Sequence, residues 1–165
     1  MANCFLTAFA SVFTDDLLAN PAQHQTCPDD AVLNTIEFSL EDVKAILCAL
    51  DPNSSMGPDG FHPHFLKFCS ASLSYPLYTI FQRSIVEGSL PVEWKTSLVI
   101  PIFKKGSRYD PLNYRPVSLT SVPGKCLERL ICREVHQFLE DHDILADEQF
   151  GFRPGRSTDD QLLMM

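Results

Sequence analysis

Four cations, Lys104, Lys105, Arg108 and Arg115, gather around Gly106. Lysine offers a point charge and arginine a forked set of N–H donors, and together they suit a phosphate. The apolar run Leu98, Val99, Ile100, Ile102 and Phe103 precedes them, and β-branched and aromatic residues in such a run predict a strand. Pro101 places that strand at an edge or a bulge. A second extended piece runs from Tyr114 to Leu119, where Pro116 biases Arg115 towards an extended backbone. Two strands bracketing a tight, basic, Gly-containing turn are expected. The plainer alternative is a hairpin with a solvated cationic tip, or an Arg115 that pins the turn by a salt bridge to a helix acid.

Elements that could position this hairpin lie on both sides. Leu6, Phe9, Ala10 and Phe13 have helical spacing, so an amphipathic N-terminal helix is expected rather than a signal peptide, which needs a positive first segment. That stretch is also too short to span a bilayer. Residues 20–33, with Pro21, Pro28, Asp29 and Asp30, read as a linker. Ser39 with Asp42 forms a capping-box pair ahead of Leu40, Val43, Ile46, Leu47 and Leu50. Gly57-Pro58-Asp59-Gly60 is a turn by its chemistry. A helix over 63–73 and another opening at Pro76 and stopping at Gly88 are predicted next. His62 and His64 flank Pro63 as capping or surface residues. The longest helix starts at Ser121 and Pro123, with Leu127, Leu130, Ile131, Val135, Phe138 and Leu139 at a 3.6 period. Arg129 and Arg133 lie on its flank, facing either solvent or nucleic acid. Ser157 with Asp160 caps a last helix.

Several of these stretches occur together in one known group. Trp94-Lys95, Ile100-Pro101, Lys104-Lys105-Gly106 and Tyr114-Arg115-Pro116-Val117-Ser118-Leu119 resemble the fingers of a reverse transcriptase. Gly57-Pro58-Asp59-Gly60 upstream and Gln149-Phe150-Gly151-Phe152-Arg153-Pro154-Gly155-Arg156-Ser157-Thr158 downstream follow the order used by non-LTR (LINE-type, jockey-like) retrotransposons. The resemblance covers residue 33 to the end. It implies that Lys104, Lys105 and Arg115 touch the triphosphate of an incoming nucleotide. It implies that Gly57, Asp59, Gly60, Gln149, Gly151 and Phe152 face the template. Relatives commonly carry a Lys just before the Gly-Pro-Asp-Gly turn, where this chain has Ser54, Ser55 and Met56.

The resemblance also implies an RNA template, a DNA primer and a deoxynucleoside triphosphate as partners, with no membrane. Polymerase chemistry uses two divalent metals held by carboxylates. The group supplies them from an Asp after the Gln-x-Gly-Phe segment and from a later Asp-Asp pair, neither of which these residues contain. Phe13-Thr14-Asp15-Asp16 lacks strand-turn-strand context, and Asp159-Asp160 sits at a helix start, where acids favour the dipole. No catalytic or metal residue and no cofactor is therefore expected in this chain, with Mg²⁺ needed only by the full-length enzyme.

The 165 residues carry a net charge of −8, and 45% are hydrophobic. That is globular composition with enough chain for a core. The acidic total opposes nucleic acid, but residues 95–133 hold eight cations against Asp110 and Glu128, whereas residues 1–94 hold three against eleven acids. A local basic stripe binds phosphates in spite of an acidic whole. Six scattered cysteines, without any Cys-x-x-Cys pair, read as reduced thiols of an intracellular protein, nuclear or cytoplasmic.

The expected fold is α+β: helices packed on a small antiparallel hairpin or sheet. Residues 1–32 would be an N-terminal helix and linker, and 33–165 a truncated polymerase domain comprising fingers and the start of the palm. The chain alone is expected not to polymerise. The alternative is a non-enzymatic nucleic-acid-binding module from a decayed or co-opted element. Leu162, Leu163, Met164 and Met165 form an apolar C-terminal segment that favours self-association.

Overall fold

A computed structural model describes residues 2–12, 32–153 and 155–163, except the side chains of Thr158 and Asp160. The order is α1 (Ala2–Ala10), α2 (Leu40–Cys48), α3 (Pro63–Phe68), α4 (Ser70–Glu87), β1 (Ser97–Phe103), β2 (Tyr114–Thr120), α5 (Val122–Asp141) and α6 (Thr158–Leu163). The fold is α+β, as the sequence predicts. Phe13, most of the 20–33 linker, Asp15-Asp16, the Asp160 side chain, Met164 and Met165 fall outside the described residues.

The chain divides into two compact units, Met1–Ala22 with Phe38–Leu130, and Gln23–Glu37 with Ile131–Met165. The core of the first unit is helical. Phe38, Val43, Leu47, Leu50, Leu66, Leu77, Phe81, Val122, Cys126, Leu127 and Leu130 are its buried apolar residues. Phe81 is fully buried and meets Trp94 edge-on at 5.7 Å. Truncating such a side chain to Ala costs about 3–5 kcal/mol. No residue of β1 or β2 is buried. The helices therefore pack chiefly on one another, and the hairpin lies outside their shared core.

Local chemistry sets the helix ends. Ser39 Oγ accepts from Asp42 N–H at 3.1 Å, while Asp42 Oδ2 accepts from Ser39 N–H at 2.8 Å, completing the capping box of α2. His62 Nδ1 accepts from His64 N–H at 3.2 Å and caps α3. The expected 63–73 helix instead ends at Phe68, because Cys69 leaves regular helical geometry at ψ 15. Pro76 lies inside α4 and does not open it. Its missing N–H frees the carbonyl of Ser72, and both residues are exposed, so solvent can take that carbonyl. Gly88, at φ 60, ends α4, with Ser89 N–H reaching Ser84 O at 3.1 Å.

β1 and β2 pair antiparallel with no bulge, from Ser97 opposite Thr120 to Phe103 opposite Tyr114. Pro101 faces Pro116. The expected tight turn is a longer loop, residues 104–113, containing a single 3₁₀ turn at Pro111–Asn113. Lys104 N–H donates to Asn113 O at 2.8 Å, Asn113 Nδ2 to Ser107 O at 2.9 Å, and Tyr114 Oη to Arg108 O at 3.0 Å. Gly106 takes φ 87, and a Cβ there would lie 2.7 Å from Asn113 Nδ2. Phe5 of α1 meets Tyr114 edge-on at 4.9 Å, and Tyr114 meets Phe103 at 5.4 Å.

In the second unit, α5 from Ile131 onward carries half-buried Val135, Phe138 and Leu139. Arg153 Nε and Nη2 grip Glu140 at 2.9 and 2.7 Å, and Arg153 Nη1 donates to Ala146 O at 3.0 Å. That clasp folds the 144–153 loop back onto its own helix.

Candidate nucleic-acid interface

Pleating sorts the hairpin into two faces. Leu98, Ile100, Ile102, Arg115, Val117 and Leu119 share one, and Lys104 opposite Asn113 extends it by a rung. Arg115 stands opposite Ile102, so Lys104 is its diagonal neighbour, at roughly 7–8 Å by sheet geometry. Both cations are exposed, and neither makes an ion pair among the described residues. The salt bridge from Arg115 to a helix acid is thus absent there. Lys105 is exposed in the loop beside them. Arg108 instead lies over the Phe103 ring, 4.8 Å from its centroid. Phe103, Tyr114 and Phe5 belong to the opposite face; on the Arg115 face Leu98, Ile100, Ile102 and Arg115 are exposed, and Val117 and Leu119 are half-buried.

The Gly57-Pro58-Asp59-Gly60 turn is anchored to the junction of β2 and α5. Gly57 is buried, and a Cβ there would lie 2.5 Å from Thr120 O and 2.7 Å from Ser121 N. Only glycine permits that approach of two backbones. Asp59 Oδ1 accepts from Phe61 N–H at 3.4 Å, while its Oδ2 is enclosed without a hydrogen-bond partner among the described residues. Gly60 is exposed at φ 76. Ser121 is buried, and its Oγ accepts from Gly124 N–H at 3.1 Å, capping α5.

Beside this junction lies a cavity of about 290 Å³, lined by Leu50, Ser54, Ser55, Leu119, Val122, Lys125 and Arg129. Lys125 and Arg129 are one turn apart on α5. Sequence reading paired Arg129 with Arg133 instead, yet Arg133 bonds Glu134 at 3.3 Å. The i, i+4 spacing of Lys125 and Arg129 was the available signal. Buried Cys126, between them in sequence, has its thiol pushed up to about 11 by burial, which the Arg129 charge partly offsets. It is an inert core thiol.

Gln149, Gly151 and Phe152 belong to the second unit and are all exposed. Phe152 is 93% exposed and holds φ 63, uncommon for an aromatic residue. A Cβ added to Gly151 would meet no atom within 4 Å, and its φ is not positive, so its own fold does not require glycine. The small basic loop expected around Arg153 and Arg156 is committed internally. Arg153 holds Glu140; Arg156 donates to Asp147 O, pairs with Asp147 Oδ1 at 3.2 Å and lies over Phe150 at 5.2 Å.

Among the described residues no three Asp, Glu, His or Cys side chains gather where they could hold a metal ion. Among them, too, no helix is long and apolar enough to cross a membrane.

No family model matches the chain. Individual relatives do. The probable RNA-directed DNA polymerase from transposon BS of Drosophila melanogaster is 30% identical over 98% of this chain. The RNA-directed DNA polymerase from mobile element jockey of Drosophila funebris is 30% identical over 86%. The probable RNA-directed DNA polymerase from transposon X-element of Drosophila melanogaster is 33% identical over 57%. The chain spans only 18%, 16% and 11% of those proteins, respectively. Over most of its length, this chain is a homologue of one segment of the RNA-directed DNA polymerases of non-LTR retrotransposons.

Proposed function

We propose that these residues form the nucleotide- and template-facing fingers portion of a retrotransposon reverse transcriptase. The observation that carries this reading is the placement of exposed Lys104 beside exposed Arg115 on one sheet face with Lys105 next to them. Three cations at one end of that face suit the triphosphate of an incoming nucleotide. Asp59 and Gly60, and separately Gln149, Gly151 and Phe152, lie along the template in this reading, while Gly57, buried against Thr120 and Ser121, anchors the first of these turns. Residues 1–32 precede the polymerase domain, and 33–165 belong to it. RNA template, DNA primer and deoxynucleoside triphosphate are the partners. The Mg²⁺ ions of the reaction are held by carboxylates outside these residues, so the 165-residue polypeptide does not polymerise.

Fluorescence anisotropy with labelled single-stranded RNA tests the binding half. Weak binding that falls steeply with salt is expected, and Lys104→Gln/Lys105→Gln/Arg115→Gln should weaken it about tenfold or more. Affinity indifferent to salt would refute the phosphate-based reading. Primer extension with Mg²⁺ or Mn²⁺ tests the rest: template-dependent extension by the pure polypeptide would overturn its inactivity.

A further inference from the structure

We infer that the cavity between the 51–55 loop and α5 is a phosphate-binding subsite separate from the hairpin tip, formed by Lys125, Arg129 and Ser55, with Ser54 in its wall. The inference rests on the nucleic-acid reading above and adds a second point of attachment to it. Lys125 and Arg129 sit one helical turn apart and both line the cavity, so their charges converge on one space. Neither side chain makes a hydrogen bond or ion pair among the described residues. The lining contains no carboxylate, so nothing in the wall neutralises them. Ser55 adds a hydroxyl donor across the cavity, whereas the Ser54 hydroxyl already donates to Asp51 O at 2.9 Å. Leu50, Leu119 and Val122 complete it with apolar surface.

At about 290 Å³ the space lies at the small end of ligand pockets, which run from roughly 300 Å³ upward. That admits a phosphate with its attached sugar, not a large ligand. Leu119 also ties the cavity to the hairpin. It shares a strand and a face with Arg115, four residues away, or about 13 Å at strand rise. A polyanion with regularly spaced phosphates can reach both points along one face. The ligand chemistry is therefore a phosphate carrying a sugar, from a nucleic-acid strand or from a free nucleoside triphosphate.

The test compares wild type, Lys125→Gln/Arg129→Gln, the charge-preserving Lys125→Arg/Arg129→Lys, and Lys104→Gln/Lys105→Gln. Each is titrated into labelled single-stranded RNA between about 50 and 200 mM salt, and into a fluorescent deoxynucleoside triphosphate. Circular dichroism melts check that every variant is folded. The Gln/Gln cavity variant should bind RNA roughly tenfold more weakly at low salt, with a salt slope smaller by about 1. The charge-preserving variant should bind like wild type. Loss of triphosphate affinity in the cavity variant, with RNA affinity intact, would assign the site to free nucleotide; loss of RNA affinity assigns it to the strand. Unchanged binding of both ligands by the cavity variant, while Lys104→Gln/Lys105→Gln weakens RNA binding, overturns the inference and leaves the proposed function standing. Wild type that binds neither ligand overturns both.

Discussion

Pro101 and Pro116 stand directly opposite one another in the hairpin. Neither has an N–H, so their rung falls between the hydrogen-bonded rungs of the antiparallel ladder. The bond from Lys104 N–H to Asn113 O, three rungs along, has the parity this requires. A slip of one residue would put one of the prolines where a donor is needed and turn Arg115 to the opposite face. The pair also removes an outward-pointing donor from the middle of each outer edge, which blunts both edges against further strands.

Replacing both prolines, Pro101→Val/Pro116→Val, should therefore leave the fold intact but restore edge donors. Size-exclusion chromatography with light scattering should detect more dimer and higher species than wild type, with an unchanged helical circular dichroism signal. A strictly monomeric variant would show that the prolines do not guard the edges.

Gly57 and Gly151 should respond oppositely to Ala. A Cβ at Gly57 meets backbone at 2.5–2.7 Å, so Gly57→Ala forces the turn away from Thr120 and Ser121. A loss of about 1–3 kcal/mol in urea unfolding is expected, as for overpacking. Gly151→Ala meets open space and should not lower stability. If Gly151 lies against the template, RNA affinity alone should fall in that variant.

Acid should loosen the second unit through Glu140. Its carboxyl is held below its ordinary value of 4.5, first by the hydrogen bond from Arg153. A lowered folded-state pKa gives stabilisation that is fully present above the unfolded value and disappears as pH falls through the folded one. Amides of the 144–153 segment should therefore exchange faster as pH drops below about 4.5, after correction for intrinsic rates. Glu140→Gln should raise exchange already at pH 7 and flatten that pH dependence. Unchanged protection in Glu140→Gln would mean that the pair does not hold the loop.

Leu162 and Leu163 are 68% and 86% exposed on α6, a helix of six residues. Short helices without packing are marginal. Removing residues 162–165 should improve solubility and reduce self-association, and shift the melting temperature by no more than about 2 °C, as for exposed positions. Slow amide exchange across 159–163 in a monomeric sample would contradict this and indicate docking on the chain's own core.

Much of this molecule follows from local chemistry. Ser39 and Asp42 dictate a capping box, Gly88 a helix stop, and the apolar run around Ile100 with the extended piece around Pro116 a hairpin, because each depends on residues close in sequence. The order of short stretches from Gly57 to Arg156 sufficed to indicate the retrotransposon polymerase family. Distant contacts decided the rest. Pro76 suggested a helix start, but α4 had already begun at Ser70, and packing of Leu77 and Phe81 carries the helix through an exposed proline. Arg153 and Arg156 looked like a basic loop until Glu140 and Asp147 proved to engage them. Gly57 read as a turn glycine, whereas the backbone of Thr120 and Ser121, more than sixty residues on, leaves no room for a Cβ. The cavity of Lys125 and Arg129 had no sequence motif, because its opposite wall comes from Ser54 and Ser55. Local hydrogen bonding is encoded in neighbouring residues; which charges are left unpaired depends on what the folded chain brings against them.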